Sequence, residues 1–193
     1  MNFIFDVGNV LVDYEPLVYL RGLFADESVV EKMYATVFKS PEWLQMDEGL
    51  LTHDEAVQRF IAREPDFESE IHLIMQRVNE MFIPKHETIE LLPIIKGLGH
   101  SIYYLSNIHM EIRDFLLENH LYFGLFDGGV FSCNIKAIKP SPKMYRHLLN
   151  MYKLDPAETV FFDDLEENVA AAEKEGIKGV LFSTADCVSE LIN

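Results

Sequence analysis

Asn2-Phe3-Ile4-Phe5-Asp6-Val7-Gly8-Asn9-Val10-Leu11 opens the chain, and its reading decides the fold. An apolar, β-prone run ends abruptly at a carboxylate, and a Gly-Asn pair follows at once. A run bounded by such a turn signal reads as a short buried strand with Asp6 at its C-terminal end. In open α/β sheets that edge is where ligands bind. One Asp in that place would ordinarily be a turn residue. Three later stretches bring polar chemistry to strand ends or loops in the same way. They are Tyr103-Tyr104-Leu105-Ser106-Asn107, the loop Ile138-Lys139-Pro140, and Val160-Phe161-Phe162-Asp163-Asp164.

From Pro84 onward helix and strand signals alternate. A helix over 86–97 shows Ile89, Leu92 and Ile95 on one face and stops at Gly97 and Gly99. A strand over 101–105 follows, then a helix with Ile112, Phe115 and Leu116 inward, and a short strand near 129–132. Ser141-Pro142 starts a helix carrying Tyr145, Leu148 and Leu149. A strand over 159–163, a helix over about 165–174, a strand over 179–182 and a short last helix complete the pattern. Strands separated by helices of this length imply parallel βαβ crossovers, so the expected class is α/β with a doubly wound, Rossmann-like parallel sheet.

Between the first strand and this alternation, from Pro16 to about Lys85, strand signals disappear. Ser28-Val29-Val30-Glu31 and Thr52-His53-Asp54-Glu55 both fit a capping box, in which hydroxyl and carboxylate satisfy orphan helix donors reciprocally. Ser40-Pro41 offers an N-cap followed by proline at the first helical position. Ala56, Val57, Phe60 and Ile61 make one apolar helical face; Ile71, Ile74, Met75, Val78 and Phe82 make the next. The expected division is an α/β core of residues 1–14 and 86–193 with an inserted all-helical unit of residues 15–85. The Asp13–Pro16 stretch and Pro84 are its expected hinges.

Bulk properties narrow the function. The chain has 193 residues, 49% hydrophobic and 25% charged, with 32 acidic against 16 basic side chains and a formal net charge of −16. That charge argues against sequence-independent nucleic-acid binding and against docking on an anionic membrane. An anionic ligand would have to be attracted locally, against the field of the whole molecule. Cys133 and Cys187 are too few for a disulfide framework or a thiolate metal site. No apolar run approaches the roughly 20 residues of a membrane span, and no secretory pattern opens the chain, so the expected location is the cytoplasm.

Each polar stretch has two readings. Asp163-Asp164, with Glu166 and Glu167 behind, either caps a helix or offers oxygen ligands to a hard divalent cation such as Mg²⁺. Ser106-Asn107 is either an N-cap or a phosphate site at a helix N-terminus. Lys139 is either a solvated lysine or a side chain aimed by Pro140. Their joint occurrence at one sheet edge favours the functional member of each pair.

The order Asp6, Ser106, Lys139, Asp163-Asp164 resembles the four motifs of the haloacid dehalogenase (HAD) superfamily, and the match spans essentially the whole chain. The helical block resembles the cap of its first subfamily. Phe5-Asp6-Val7-Gly8-Asn9-Val10, Leu105-Ser106-Asn107, Lys139-Pro140 with Tyr145, and Phe162-Asp163-Asp164 with Asn168 and Gly176 are similar to the phosphatase-like members. The resemblance implies a small phosphorylated metabolite as substrate and an aspartyl-phosphate formed on Asp6. It implies Mg²⁺ between Asp6, the Gly8 carbonyl and Asp164, with Asp163 supporting. Ser106 and Lys139 would hold the phosphoryl oxygens, assisted by Asn107.

Two departures stand out. Most phosphatases of the superfamily carry a second Asp two residues after the nucleophile as general acid and base; here it is Gly8. A Gly-Asn pair recurs in a branch that includes a phosphatase of alpha-D-glucose 1-phosphate, so a sugar 1-phosphate is one expected substrate. Either Asp13 or His109 supplies the proton, or water does, or the leaving group needs little protonation. Lys136 stands where relatives often have Gly.

Specificity is expected from the cap. Trp43, Gln45 and Met46 resemble its substrate-facing segment, though Trp43 fits a core aromatic equally well. Lys39 and His109 are weaker candidates, being residue types found more often at the surface than in contact with substrate. A dehalogenase is an alternative, opposed by the acidic pair. A receiver-type phospho-acceptor domain is opposed by the order of its motifs. A catalytically degenerate binding protein, and a monomer or a homodimer, remain open at this level.

Overall fold

A computed structural model describes residues 1–192. Its centre is a five-stranded sheet, β1 Asn2–Phe5, β2 Ser101–Ser106, β3 Gly128–Phe131, β4 Thr159–Asp163 and β5 Lys178–Leu181. The spatial order is β3-β2-β1-β4-β5, and every pairing is parallel. Strand alternation divides the core into two apolar clusters. Phe3, Phe5, Ile102, Phe131, Val160 and Phe162 belong to one. Ile4, Tyr103, Leu105, Val130 and Phe161 belong to the other, with Met144, Tyr145 and Leu148 from a covering helix. Phe162 stacks on Phe5 with ring centroids 5.1 Å apart, so the middle of the sheet is sealed by aromatic contact.

The helices in chain order are α1 Pro16–Leu23, α2 Glu27–Met33, α3 Pro41–Asp47, α4 His53–Arg63 and α5 Glu68–Arg77 before β2's own lead-in. A π-helical turn at Tyr34–Phe38 joins α2 to α3. Next come α6 His86–Ile89 and α7 Leu91–Gly97, then α8 Met110–Asn119, α9 Ser132–Ile135, α10 Pro142–Tyr152, α11 Glu166–Lys174 and α12 Asp186–Ile192. The α/β expectation therefore holds, strand by strand.

Two local expectations are corrected. The segment 86–97 is two helices, because Pro93 cannot share a continuous helix with the carbonyl of Ile89, four residues earlier. Ser28 does not open a capping box. Asp26 is the N-cap and accepts from both the Ser28 amide (2.9 Å) and its hydroxyl (2.7 Å), so the helix starts before Ser28. The Thr52–Glu55 box forms as expected, and Ser40 caps α3 by accepting from the Trp43 amide.

The helical block is tied to the sheet by its two connections. The Asp13 amide donates to the Ile83 carbonyl and the Lys85 amide to the Leu11 carbonyl, each at 2.8 Å. Lys85 Nζ then pairs with Asp13 at 3.1 Å. The entering and leaving strands are thus zipped side by side, which sets the helices over the C-terminal end of β1. Val30, Met33, Val37, Trp43, Phe60 and Ile74 of the block belong to the same apolar cluster as Phe3 and Phe5.

Candidate active site

Parallel register explains why distant residues meet. Phe5 pairs with both Tyr104 and Phe162, so Asp6, Leu105 and Asp163 come level at the C-terminal edge, with Ser106 one position beyond. The Asp6 amide continues the ladder to the Phe162 carbonyl at 2.9 Å. The Val7 amide donates to Asp6 Oδ1 at 2.7 Å, and the chain then turns back on itself through Gly8 and Asn9. Asn9 takes φ +56°, a left-handed conformation that Asn tolerates because its side chain bonds locally. Here it accepts from the Tyr14 amide at 3.0 Å and donates to Asp164 at 2.9 Å.

Lys139 occupies the centre. Its Nζ lies 2.8 Å from Asp6 Oδ1 and 2.6 Å from Asp163 Oδ2, and the residue is buried. Of the three ammonium protons these contacts use two, leaving one to aim elsewhere. Burial works against the charged lysine, yet the two carboxylates outweigh it and hold its pKa above the ordinary value. The loop that presents it has a cis Lys139–Pro140 bond and is clamped by Asn107. Asn107 accepts from the Lys139 amide (2.7 Å) and donates to the Lys139 carbonyl (3.0 Å). Its carboxamide is therefore engaged in positioning Lys139, with the second Nδ2–H and the backbone amide, unpaired among the described residues, still free to meet a phosphate.

The acidic pair separates into two roles. Asp163 is fully buried, and its oxygens accept from Lys139, from the Leu165 amide at 2.9 Å and from Asn168 at 2.9 and 3.1 Å. Asn168 is itself fixed by Tyr145, whose hydroxyl donates to its carbonyl at 2.9 Å. Asp164 is half-buried and makes the single contact to Asn9. Ligand oxygens of Asp6, Asp163 and Asp164 lie within 4.8 Å of one another. Burial pushes the Asp6 carboxyl up to about 7, opposed by Lys139 and reinforced by Asp163. Three carboxylates facing one ammonium make a donor set of hard oxygens with charge to spare, which fits a divalent cation of the Mg²⁺ type.

A cavity of ≈ 500 Å³ opens from this cluster toward the helical block. Asp6, Gly8, Ser106, Asn107, Lys139 and Asp164 form its floor, so the sequence-derived set is brought together there, apart from Asp163, which lies just beneath. Tyr14, Tyr34, Phe38, Trp43, Leu44 and Phe82 form its apolar wall, with Lys39 at an exposed position. Trp43 meets both readings, since it is 3% exposed, packs on Phe38 at 4.7 Å and still lines the cavity.

His109 corrects an expectation. It is not a surface residue but 1% exposed, and its Nδ1 lies 3.1 Å from Asp47 Oδ1 at the end of α3. Asp13, the other residue considered as a proton donor, is spent on Lys85 and does not line the cavity. A Cβ built on Gly8 would meet only Tyr14 Cβ at 3.7 Å, ordinary contact, so close packing does not demand glycine there. The roles of Asn9 and Asp47 escaped the sequence reading. Asn9 looked like a turn former, and Asp47-Glu48-Gly49, which closes the stretch of Trp43, Gln45 and Met46, looked like no more than its end.

A family model described as haloacid dehalogenase-like hydrolase matches residues 1–176. A sesquiterpene phosphatase from Aspergillus oryzae is 31% identical over 178 residues, covering 92% of this chain and 87% of that protein. A phosphorylated carbohydrates phosphatase from Thermotoga maritima is 27% identical over 196 residues, with 95% and 86% covered. Among solved structures, a HAD family enzyme from Bacteroides thetaiotaomicron, in complex with magnesium and inorganic phosphate, superposes with TM-score 0.78. Its sequence identity is 22%, and the match covers 100% of this chain and 98% of that one.

Proposed function

The chain belongs to the haloacid dehalogenase-like hydrolases and is a hydrolase of the phosphatase type, and from that premise we propose that it cleaves a small phosphomonoester with Mg²⁺ and Asp6 as nucleophile. The observation that carries the reading is the Lys139 bridge between Asp6 and Asp163, with Asp164 beside it, at the floor of the cavity. Residues 15–85 act as the cap and residues 1–14 and 86–193 as the catalytic core.

Asp6 and Asp164 would hold the metal with the Gly8 carbonyl, and Asp163, its oxygens already engaged, would support them. A bound Mg²⁺ supplies charge neutralisation where a carboxylate must approach a phosphate dianion. Lys139 keeps one N–H for a phosphoryl oxygen, and Ser106, which lines the same cavity, would add its hydroxyl. Asp6 attacks phosphorus, the ester oxygen leaves, and water then cleaves the aspartyl-phosphate.

The cavity wall bears on the substrate. Its side chains are aromatic or aliphatic, Tyr14, Tyr34, Phe38, Trp43, Leu44 and Phe82 among them, which suits an apolar or flat leaving group better than a polyol. The similarity to a sesquiterpene phosphatase points the same way, and that to a carbohydrates phosphatase keeps the sugar phosphate in view.

The test is phosphate release by purified protein with Mg²⁺ from a panel of prenyl, aryl, sugar 1- and sugar 6-monophosphates. Release is expected to be highest on the prenyl or aryl members, to stop in EDTA, and to fall by roughly 10⁴-fold or more in Asp6→Asn. Full activity in EDTA on a haloacid would install the dehalogenase instead. No turnover on any ester would leave a binding protein.

A further inference from the structure

We propose that His109, oriented by Asp47, is the general acid and base of this site, taking the place of the carboxylate absent at Gly8. The proposal rests on the phosphatase reading above and deepens it.

His109 ends the loop after β2, three residues beyond Ser106, and Asp47 ends α3 of the helical block. A carboxylate can only accept, so the Nδ1 that faces Asp47 at 3.1 Å carries a proton. That settles the tautomer and leaves Nε2 as the atom that gives or takes the other proton. Nε2 is buried and has no hydrogen-bond partner among the described residues, while His109 lines the same cavity as Asp6 and Lys139. Buried polar atoms are nearly always paired, so an unpaired imidazole nitrogen in a reaction cavity calls for a partner in the ligand.

The ring is held by two further contacts beside the Asp47 pair. Trp43 stands edge-on to it, centroids 5.0 Å apart. Ser132 Oγ accepts from the Ile108 amide at 2.8 Å and donates to the Asp47 carbonyl, joining the two halves of the pair. Tyr14 lines the cavity as well and bears a hydroxyl proton. Burial first, then the Asp47 and Tyr34 side chains, drive its pKa so far up that it holds its proton too tightly to serve.

The location suits in-line displacement. Asp6 attacks from the sheet edge, so the departing oxygen points away from it, toward the helical block, where Asp47 and His109 meet. As the Asp6–phosphorus bond forms and the phosphorus–ester oxygen bond breaks, that oxygen takes the electron pair and receives the Nε2 proton. In the second half, water loses a proton to Nε2 as it attacks phosphorus. The Asp6–phosphorus bond then breaks and its electron pair returns to the carboxylate.

The experiment measures single-turnover rates with Mg²⁺ for the parent, His109→Asn and Asp47→Asn on aryl phosphates running from dinitrophenyl to unsubstituted phenyl. Proton donation matters most for the most basic leaving group. His109→Asn should lose at least about 100-fold on phenyl phosphate and no more than about 3-fold on the dinitrophenyl ester, whose retained rate certifies an intact site. Asp47→Asn should show the same slope with a smaller loss. A uniform loss along the series in both variants, or no loss, overturns the dyad while the phosphatase reading stands. A parent protein that cleaves none of the esters overturns both.

Discussion

Asn9 Nδ2 donates to Asp164 Oδ2 across 2.9 Å, tying the turn after the first strand to the loop after the fourth. This contact fixes the less buried of the two motif acids, the one with lone pairs still free for a cation. It also explains why the turn tolerates a left-handed Asn, whose side chain works at both ends.

Asn9→Ala should therefore have two separable effects. Left-handed backbone on Ala and the lost hydrogen bonds should cost about 2 kcal/mol of stability, read by urea unfolding. Loss of the contact to Asp164 should weaken Mg²⁺ binding by about 10–100-fold, as removal of a ligand's supporting partner does. Asn9→Gly should recover most of the stability and none of the affinity. A calorimetric titration of both variants checks the split.

Lys139→Met should be severely destabilising. It would leave the Asp6 and Asp163 carboxylates buried without their counter-ion, a loss of about 3–5 kcal/mol where one partner of a buried pair is removed. Because a cation can replace part of that charge, Mg²⁺ should raise the thermal midpoint of the variant more than that of the parent. Equal shifts would show that the metal does not sit among these acids.

The Asp6 carboxyl predicts a specific pH dependence. Its pKa is raised from the ordinary carboxylate range to about 7, so between about pH 4 and pH 7 the folded protein binds a proton that the unfolded chain does not. The stability that it contributes is complete below the unfolded value and is lost as pH rises through about 7. Metal-free protein should lose stability over that window, and Asp6→Asn should flatten the slope. Mg²⁺ competes with the same proton, so its stabilisation should be small at pH 5 and larger at pH 8. Thermal melts with and without EDTA at the two pH values measure this.

Lys136→Gly should stabilise. Lys136 has φ +50° at the end of α9, a left-handed position that costs a side-chain-bearing residue about 1 kcal/mol or more and glycine little. The expected gain is about 1 kcal/mol, with no change in turnover, since the contacts of Lys136 are backbone ones that Gly keeps: its amide donates to the Ser132 carbonyl and its carbonyl accepts from Lys143 Nζ at 3.2 Å.

How much of this was legible beforehand depends on the distance over which each signal acts. Strand alternation at Phe3, Ile4 and Phe5, the Thr52–Glu55 box and the Ser40 cap are set by neighbours within one turn or one pleat, and such patterns survive in a linear string. Even there, the cap expected at Ser28 is taken by Asp26 two residues earlier, and only the backbone shows which of the two starts the helix. The motif order Asp6, Ser106, Lys139, Asp163-Asp164 was enough to place them at one edge, because a parallel sheet delivers every strand's C-terminal end to the same side.

By itself, then, the sequence determined the α/β fold class, the sheet edge and the residues gathered on it. The tertiary structure alone decided the separate burial of Asp163 and Asp164, the aromatic cavity wall and the pairing of His109 with Asp47. The reason is physical. His109 and Asp47 are 62 positions apart, and Asn9 and Asp164 are 155 apart. Such contacts depend on where the zipped connections at Asp13 and Lys85 set the helical block over the sheet, and no local periodicity encodes that placement.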